Sequence, residues 1–200
     1  MRKIIAALQM SVDGFIEGPN GELDWAMEED EDAWKDIFEM LESVDTFILG
    51  RVMYPDYEQY WLAILVNPAD ILPLSGKTAT KNEIAFAHRA DKIRHIVVSK
   101  TLDKVAWKTT RIVRDLEEIR KMKQQHGKDM YVVGGATLVS SLMNLGLIDE
   151  LRLMVNPIIL GGGKALFKDV KERHAFKLVR AKPLKSGKVS LTYSTQSSMR

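Results

Sequence analysis

Four residues, Met130-Tyr131-Val132-Val133, followed at once by Gly134-Gly135 and then by Ala136 to Leu145, constrain this chain more than any other segment. The apolar run reads as a buried strand, the glycine pair as a tight junction, and the next stretch as a helix that Gly146 ends. A strand feeding directly into a helix is half of a crossover unit, the building block of parallel sheets. The glycines also let a ligand approach the start of that helix, where unpaired N–H groups and the positive end of the dipole meet. A pyrophosphate suits such a place. Gly-Gly serves equally well as a plain turn, however, and the full G-x-G-x-x-G fingerprint is absent.

The alternation extends in both directions. Ile4 to Met10 is a mostly apolar run of the kind found in mid-sheet strands, and Asp13-Gly14 with Gly18-Pro19-Asn20-Gly21 makes the loop after it. From about Asp30 to Ser43, Ala33, Trp34, Ile37, Phe38 and Leu41 recur at helical spacing against a charged opposite face. Thr46 to Leu49 reads as a buried strand ended by Gly50, and Arg51 begins a second short helix. Residues 62 to 80, with Pro68, Pro73 and Gly76, read as an irregular excursion, followed by a short helix over Lys81 to Arg89. His95 to Val98 and Arg111 to Val113 are predicted strands, and Asp115 to Gln125 a helix that Gly127 closes. Glu150 to Ile159, Phe176 to Ala181 and Val189 to Ser194 are three further strands, the last two forming a hairpin around Ser186-Gly187. The C-terminal part is therefore expected to be antiparallel. Together these elements predict an α/β fold, an open and mostly parallel mixed sheet with helices on both faces, in one domain over residues 1–200.

Composition removes several function classes. The formal net charge is only +2 and the 29 basic residues are spread along the chain, so no broad nucleic-acid face is indicated. Without cysteine there is no disulfide, thiolate nucleophile or cysteine-ligated metal, which fits a reducing cytoplasm. Gln9, Ser11 and Asp13 interrupt the N-terminal apolar run before a signal-peptide core is complete. No stretch approaches the ~20 apolar residues of a membrane span. A soluble cytoplasmic protein without a membrane partner is expected. His88, His95, His126 and His174 show no metal-ligand spacing, so no metal is expected.

Three other junctions carry polar groups. Gly50-Arg51 puts a permanent cation at a strand end, where open α/β sheets bind ligands. Ser99-Lys100-Thr101 offers two hydroxyls and an ammonium at another strand end. A solvated turn explains either one alone. Gly161-Gly162-Gly163-Lys164 is not a phosphate loop of the Walker type, because Ala165 follows the lysine and no glycine sits at the required earlier spacing.

The order of these junctions sharpens the reading. The chain resembles the dihydrofolate-reductase-like superfamily, within it most closely the family of the C-terminal reductase domain of the bifunctional riboflavin-biosynthesis deaminase-reductase. The resemblance is carried by Ser11-Val12-Asp13-Gly14-Phe15-Ile16, Ile48-Leu49-Gly50-Arg51, Val98-Ser99-Lys100-Thr101-Leu102, Val132-Val133-Gly134-Gly135-Ala136 and Asn156-Pro157-Ile158-Ile159-Leu160-Gly161. It implies a three-layer α/β/α fold, NADPH as cofactor and a homodimer. It further implies that Arg51, beside Gly50, and Ser99-Lys100, beside Thr101, bind the 2'-phosphate. Gly134, Gly135, Ala136, Thr137 and Leu138 would receive the pyrophosphate, and Gln9 and Ile16 would flank the nicotinamide with backbone groups. One departure stands out: Met53 occupies the place where many relatives have a phosphate-binding threonine.

Hydride transfer to a C=N or C=O bond needs a proton source beside the acceptor. If Trp25 matches the tryptophan that precedes the acid of folate-reducing relatives, Asp30 takes the acid's place and Trp34 flanks the substrate. Glu28, Glu29, Glu31 and Asp32 compete with it, and all of them equally suit a solvated first helical turn. Asp13, at the mouth of the site, is a candidate substrate-binding residue, although Asp-Gly is also ordinary turn chemistry. Tyr57 and Trp61 read either as pocket walls or as core. The expected activity is reduction of a small heterocycle, a pterin or a pyrimidine of the 5-amino-6-(5-phosphoribosylamino)uracil reductase type. The rival is a non-catalytic nucleotide-binding or regulatory homodimer of the same fold.

Overall fold

A computed structural model describes residues 1–26 and 30–195. Its centre is an eight-stranded sheet. In chain order the strands and helices are β1 (Ile4–Ser11), β2 (Phe15–Glu17), α1 (Glu31–Glu42), β3 (Val44–Gly50), α2 (Tyr54–Val66), α3 (Lys81–Ala90), β4 (Arg94–Val98), β5 (Thr110–Val113), α4 (Leu116–Gln124), β6 (Asp129–Gly134), α5 (Ala136–Asn144), β7 (Glu150–Asn156), β8 (Lys164–Ala165), β9 (Phe176–Pro183) and β10 (Val189–Thr195). The sheet order is β5-β4-β3-β6-β1-β7-β10-β9, and β2 pairs separately with β8.

Alternation along each strand divides the core into two layers. Ile4, Ala6, Ile48, Val132 and Leu151 face Ile119 of α4 and Leu138, Val139 and Leu142 of α5. The intervening residues Ile5, Phe47, Leu49 and Val97 face Met40 and Leu41 of α1, Tyr57 of α2 and Phe86 of α3. Helices therefore cover both faces, as the sequence pattern predicts. No helix among the described residues is long and apolar enough to cross a membrane.

Local chemistry sets the helix ends. Asp30 caps α1 and Asp115 caps α4, each accepting a first-turn amide, and Thr80 with Glu83 forms a reciprocal capping box on α3. Several expectations need correction. The helix after Arg51 is not short: a turn covers 51–53, and α2 runs through Val66 because Tyr54, Tyr57, Tyr60 and Ile64 bury one continuous stripe. The irregular excursion therefore begins only at Asn67. The C-terminal strands are not all antiparallel either. β7 runs parallel to β1 from Ile5↔Glu150 to Ser11↔Asn156, and only β10 and β9 reverse. β7 also stops at Asn156, before Pro157, which lacks the amide a ladder needs.

His95, fully buried on β4, lies in an aromatic box. Tyr57 Oη is 3.1 Å from Nε2, Thr109 Oγ1 is 3.2 Å from Nδ1, and the Trp107 ring is 4.4 Å away between centroids. Burial lowers its pKa from the ordinary 6.5 to about 4, against weaker opposing contributions from the Ile93 backbone, Asp91 and Glu58. The unfolded chain thus binds the proton more readily than the folded one. Stability from this site is complete above pH 6.5 and is lost as pH falls through about 4. We expect the unfolding free energy read from urea titrations to decline over that window by an amount on the order of 3 kcal/mol. A His95→Gln variant should show a flatter decline, and an unchanged slope would refute the assignment.

Candidate functional site

The carboxyl ends of the parallel strands form one edge, and that edge is split. β1 pairs with β6 only over Ile4↔Met130 to Ala6↔Val132, whereas its pairing with β7 continues to Ser11. Beyond Ala6 no ladder pair joins the two central strands, so Ala7–Ser11 and the β6–α5 junction border a parting in the sheet, the crevice of this edge. Crevices outside the carboxyl ends of strands are where open α/β sheets hold ligands.

On one side of the crevice stands the glycine junction. Gly135 adopts φ 98° and ψ 113° and is the N-cap of α5, with no side chain capping that helix. The first-turn amides of Ala136, Thr137 and Leu138 lack intrahelical acceptors by position. Gly50, at the end of β3, comes close to this turn: a Cβ there would lie 3.6 Å from Leu138 Cβ and 3.8 Å from the Gly134 carbonyl oxygen. Gly50 is in register with Val98 and Val98 with Val113, so Arg51, Ser99-Lys100-Thr101 and Arg114 follow neighbouring strand ends. Arg51 and Lys100 are exposed, and neither joins an ion pair among the described residues. The residues present therefore fit an anionic dinucleotide: uncapped helix amides for one phosphate group and two uncommitted cations for another.

Ser99 departs from the expected geometry. Its side chain is buried, and Oγ accepts the amides of Thr101 at 3.2 Å and Leu102 at 2.8 Å. The hydroxyl oxygen shapes the turn, while Arg114 Nη1 donates to the carbonyls of Ser99 and Leu102. Arg114, which sequence reasoning passed over, thus holds the loop that presents Lys100 and the exposed Thr101.

Across the crevice, Gln9 is exposed on β1, and its Oε1 accepts from Asn156 Nδ2 at 3.3 Å. Asn156 is buried and also donates to the carbonyl of Met10, fixing the end of the β1–β7 ladder. Ile16, on β2, packs half-buried against the core. Asp13 does not stand free at the mouth. Its carboxylate accepts from Ser11 Oγ at 2.6 Å and from the amides of Leu160 and Gly161 at 3.2 and 2.8 Å, tying the loop after β1 to the loop before β8. The Ser11 hydroxyl and these amides hold its carboxyl below the ordinary 3.8. Of the three glycines 161–163, Gly161 is part of this tie.

Asp30 has a structural task. Oδ1 accepts the Ala33 amide at 3.0 Å, and Oδ2 accepts from Ser186 Oγ in the β9–β10 turn. Burial alone would raise its pKa, but the Ser186 and Ala33 hydrogen bonds and the nearby Lys188 charge outweigh it, leaving the carboxyl below 3.8. A carboxyl held down in this way is ionised at neutral pH, so the residue expected as proton donor serves in the free protein as a helix cap. Nothing local in the sequence announces Ser186 or Lys188 as its partners. Replacing Asp30 by Ala should cost about 1 kcal/mol through the lost cap, read from denaturant midpoints. Asn, which keeps a cap oxygen, should cost less, and equal losses would shift the weight to Ser186.

Trp34 lies within an aromatic cluster, its ring centroid 5.8 Å from Phe38 and 5.9 Å from Phe86. Tyr57 and Trp61 belong to the same side of the core. Glu31 is exposed and Asp32 half-buried at the first turn of α1, while Glu28 and Glu29 lie outside the described residues.

A mostly parallel sheet, parted between β1 and β6 and carrying a glycine turn at its carboxyl edge, defines the chain as an α/β protein of the open-sheet kind. The chain belongs to the RibD C-terminal domain family, whose model matches residues 2–190. It is 36% identical over 194 residues to the uncharacterized protein YyaP of Bacillus subtilis, covering 96% of this chain and 94% of that one. Among solved structures it is similar to a putative riboflavin biosynthesis protein from Shewanella sp. PV-4, with TM-score 0.68, 21% identity and coverage of 98% and 99% of the two chains. It is also similar to dihydrofolate reductase from Enterococcus faecalis, complexed with NADP(H) and RAB-propyl, with TM-score 0.62, 17% identity and coverage of 97% and 96%. The fold is dihydrofolate-reductase-like, and family membership supports an oxidoreductase-like role.

Proposed function

We propose that this chain is an NADPH-dependent reductase of a small conjugated heterocycle, a pterin or a pyrimidine of the 5-amino-6-(5-phosphoribosylamino)uracil type. The observation that carries the reading is the crevice between β1 and β6, flanked by the uncapped α5 terminus and by Arg51 and Lys100, which join no ion pair among the described residues. A reduced nicotinamide supplies the hydride when bound. The chain's own residues bind and orient. The amides of Ala136, Thr137 and Leu138 hold a pyrophosphate, Gly50, Gly134 and Gly135 give it room, and Arg51 with Lys100 and Thr101 takes the 2'-phosphate. Gln9 and Ile16 border the ring with backbone groups. Asp13 sets the position of the loop over the crevice, and Asp30 with Trp34 borders the substrate side. In this scheme Asp30 orients the acceptor as a carboxylate, and the proton comes from water.

The protein acts as a homodimer in this reading. β9 is the outer strand of the sheet, and its Leu178 and Val179 are 51% and 62% exposed beside the half-buried Phe176, Leu191 and Tyr193. This exposed apolar pair, on a strand that also carries Lys177, Arg180 and Lys182, is the surface through which a second copy would pair.

The test is a fluorescence titration with NADPH and NADH, followed by cofactor oxidation in the presence of dihydrofolate, biopterins and pyrimidine intermediates. Tighter binding of NADPH and oxidation with one of these acceptors is expected, and failure to bind either dinucleotide overturns the reading. Binding without turnover would favour the non-catalytic homodimer.

A further inference from the structure

Met53 occupies the last turn residue before α2 and is its N-cap, with φ −81° and ψ −28° and no side-chain capping bond. Its tip reaches across to the glycine junction. A Cβ built on Gly134 would lie 2.7 Å from Met53 Sδ and 3.4 Å from Cε, so the thioether rests on the bare α-carbon of Gly134. Gly50 is similarly bare toward Leu138 and the Gly134 carbonyl. The ends of β3 and β6 and the first turn of α5 therefore meet with the thioether laid over their junction. Elsewhere Met53 packs half-buried against the cluster containing Phe47, Leu49 and Tyr57.

A thioether is a poor choice for this position if the task is to satisfy helix termini. Sulfur accepts hydrogen bonds weakly, so it leaves the N-terminal amides of α2 and α5 without a strong partner. An unbranched chain with three rotatable bonds can, however, move aside at small cost. We infer that Met53 is a displaceable stopper on the dinucleotide site: its thioether covers Gly134 in the free protein and swings out when a pyrophosphate docks on the α5 terminus. The inference rests on the dinucleotide reading given above. It sets affinity rather than selectivity, because the pyrophosphate is common to NADPH and NADH, whereas Arg51 meets only the 2'-phosphate.

The experiment titrates NADPH and NADH against the full-length chain and its Met53→Ala and Met53→Leu variants. Met53→Ala should tighten both dinucleotides by about fivefold and leave their ratio unchanged, since binding no longer displaces a packed side chain. Met53→Leu, which keeps the volume, should stay within about twofold of the parent and guards against a fold defect in the smaller variant. In protein labelled with 13C on the methionine methyls, inorganic pyrophosphate alone should shift the Met53 resonance. Unchanged or weaker binding by Met53→Ala, with the parent still binding, overturns the stopper and spares the dinucleotide reading. Absence of binding by all three proteins overturns both.

Discussion

Replacing Arg51 by alanine is expected to weaken NADPH binding by about 10- to 100-fold while changing NADH by less than about twofold. Charge-assisted hydrogen bonds to a phosphate contribute about 1.5–3 kcal/mol, and the 2'-phosphate is the only group by which the two dinucleotides differ. Arg51 is exposed just after β3 and joins no carboxylate among the described residues, so the substitution leaves no buried charge unpaired. Fold stability should be unaffected, which separates a lost contact from a lost structure. Lysine at this position should restore part of the preference, because it keeps the charge but not the planar two-pronged geometry. Equal losses for both dinucleotides would remove Arg51 from the 2'-phosphate site.

Gly163→Ala is expected to release the loops above the crevice. Gly163 has φ 124°, and a Cβ on it would lie 2.1 Å from the Glu17 carbonyl oxygen and 2.9 Å from Gly18 C. Those are backbone atoms, so the collision can be relieved only by moving the loop itself. The movement would break the Phe15↔Ala165 and Glu17↔Lys164 pairing and strain the Lys164–Glu17 ion pair, whose Nζ–Oε1 distance is 2.9 Å. Steric conflict and backbone strain together should cost roughly 2–4 kcal/mol in this unit. Amide exchange in residues 12–22 and 158–166 should accelerate by a factor of 30 or more by that ~2–4 kcal/mol estimate, while the sheet core keeps its protection. Gly161→Ala is the control: φ is 71° and nothing lies within 4 Å, so only roughly 1 kcal/mol of backbone strain applies. Equal effects from the two substitutions would mean that the close approach to Glu17 carries no weight.

The sequence made the strong periodic elements legible. α1, α4 and α5 carry clear apolar stripes, and Asp30 and Asp115 stand where caps belong. α2 was harder to read because its buried stripe is largely tyrosine and its N-cap, Met53, bonds nothing. The direction of β7 was hidden for a different reason: strand composition encodes burial, not whether the neighbour runs the same way. β2 and β8, three and two residues long, are too short to show a period at all. At the site, glycines and Arg51 were visible because each ends a strand. What remained hidden depends on residues far apart in the chain. Asp30 reads as one carboxylate among several until the turn carrying Ser186 comes beside it, and Met53 reads as a missing hydroxyl until its sulfur is seen resting on Gly134.

The parting of β1 from β6 has a consequence for cohesion. Three registered residue pairs join the half of the sheet carrying β5, β4, β3 and β6 to the half carrying β1, β7, β10 and β9. The molecule thus has a seam, zipped near the amino ends of the strands and open at the other. A dinucleotide lying along that opening touches both halves, with its phosphates on one and its ring on the other. In the proposed reading its binding energy acts as a cross-stitch, adding to the shared core beneath two plates whose backbone ladder spans only about a third of β1's length.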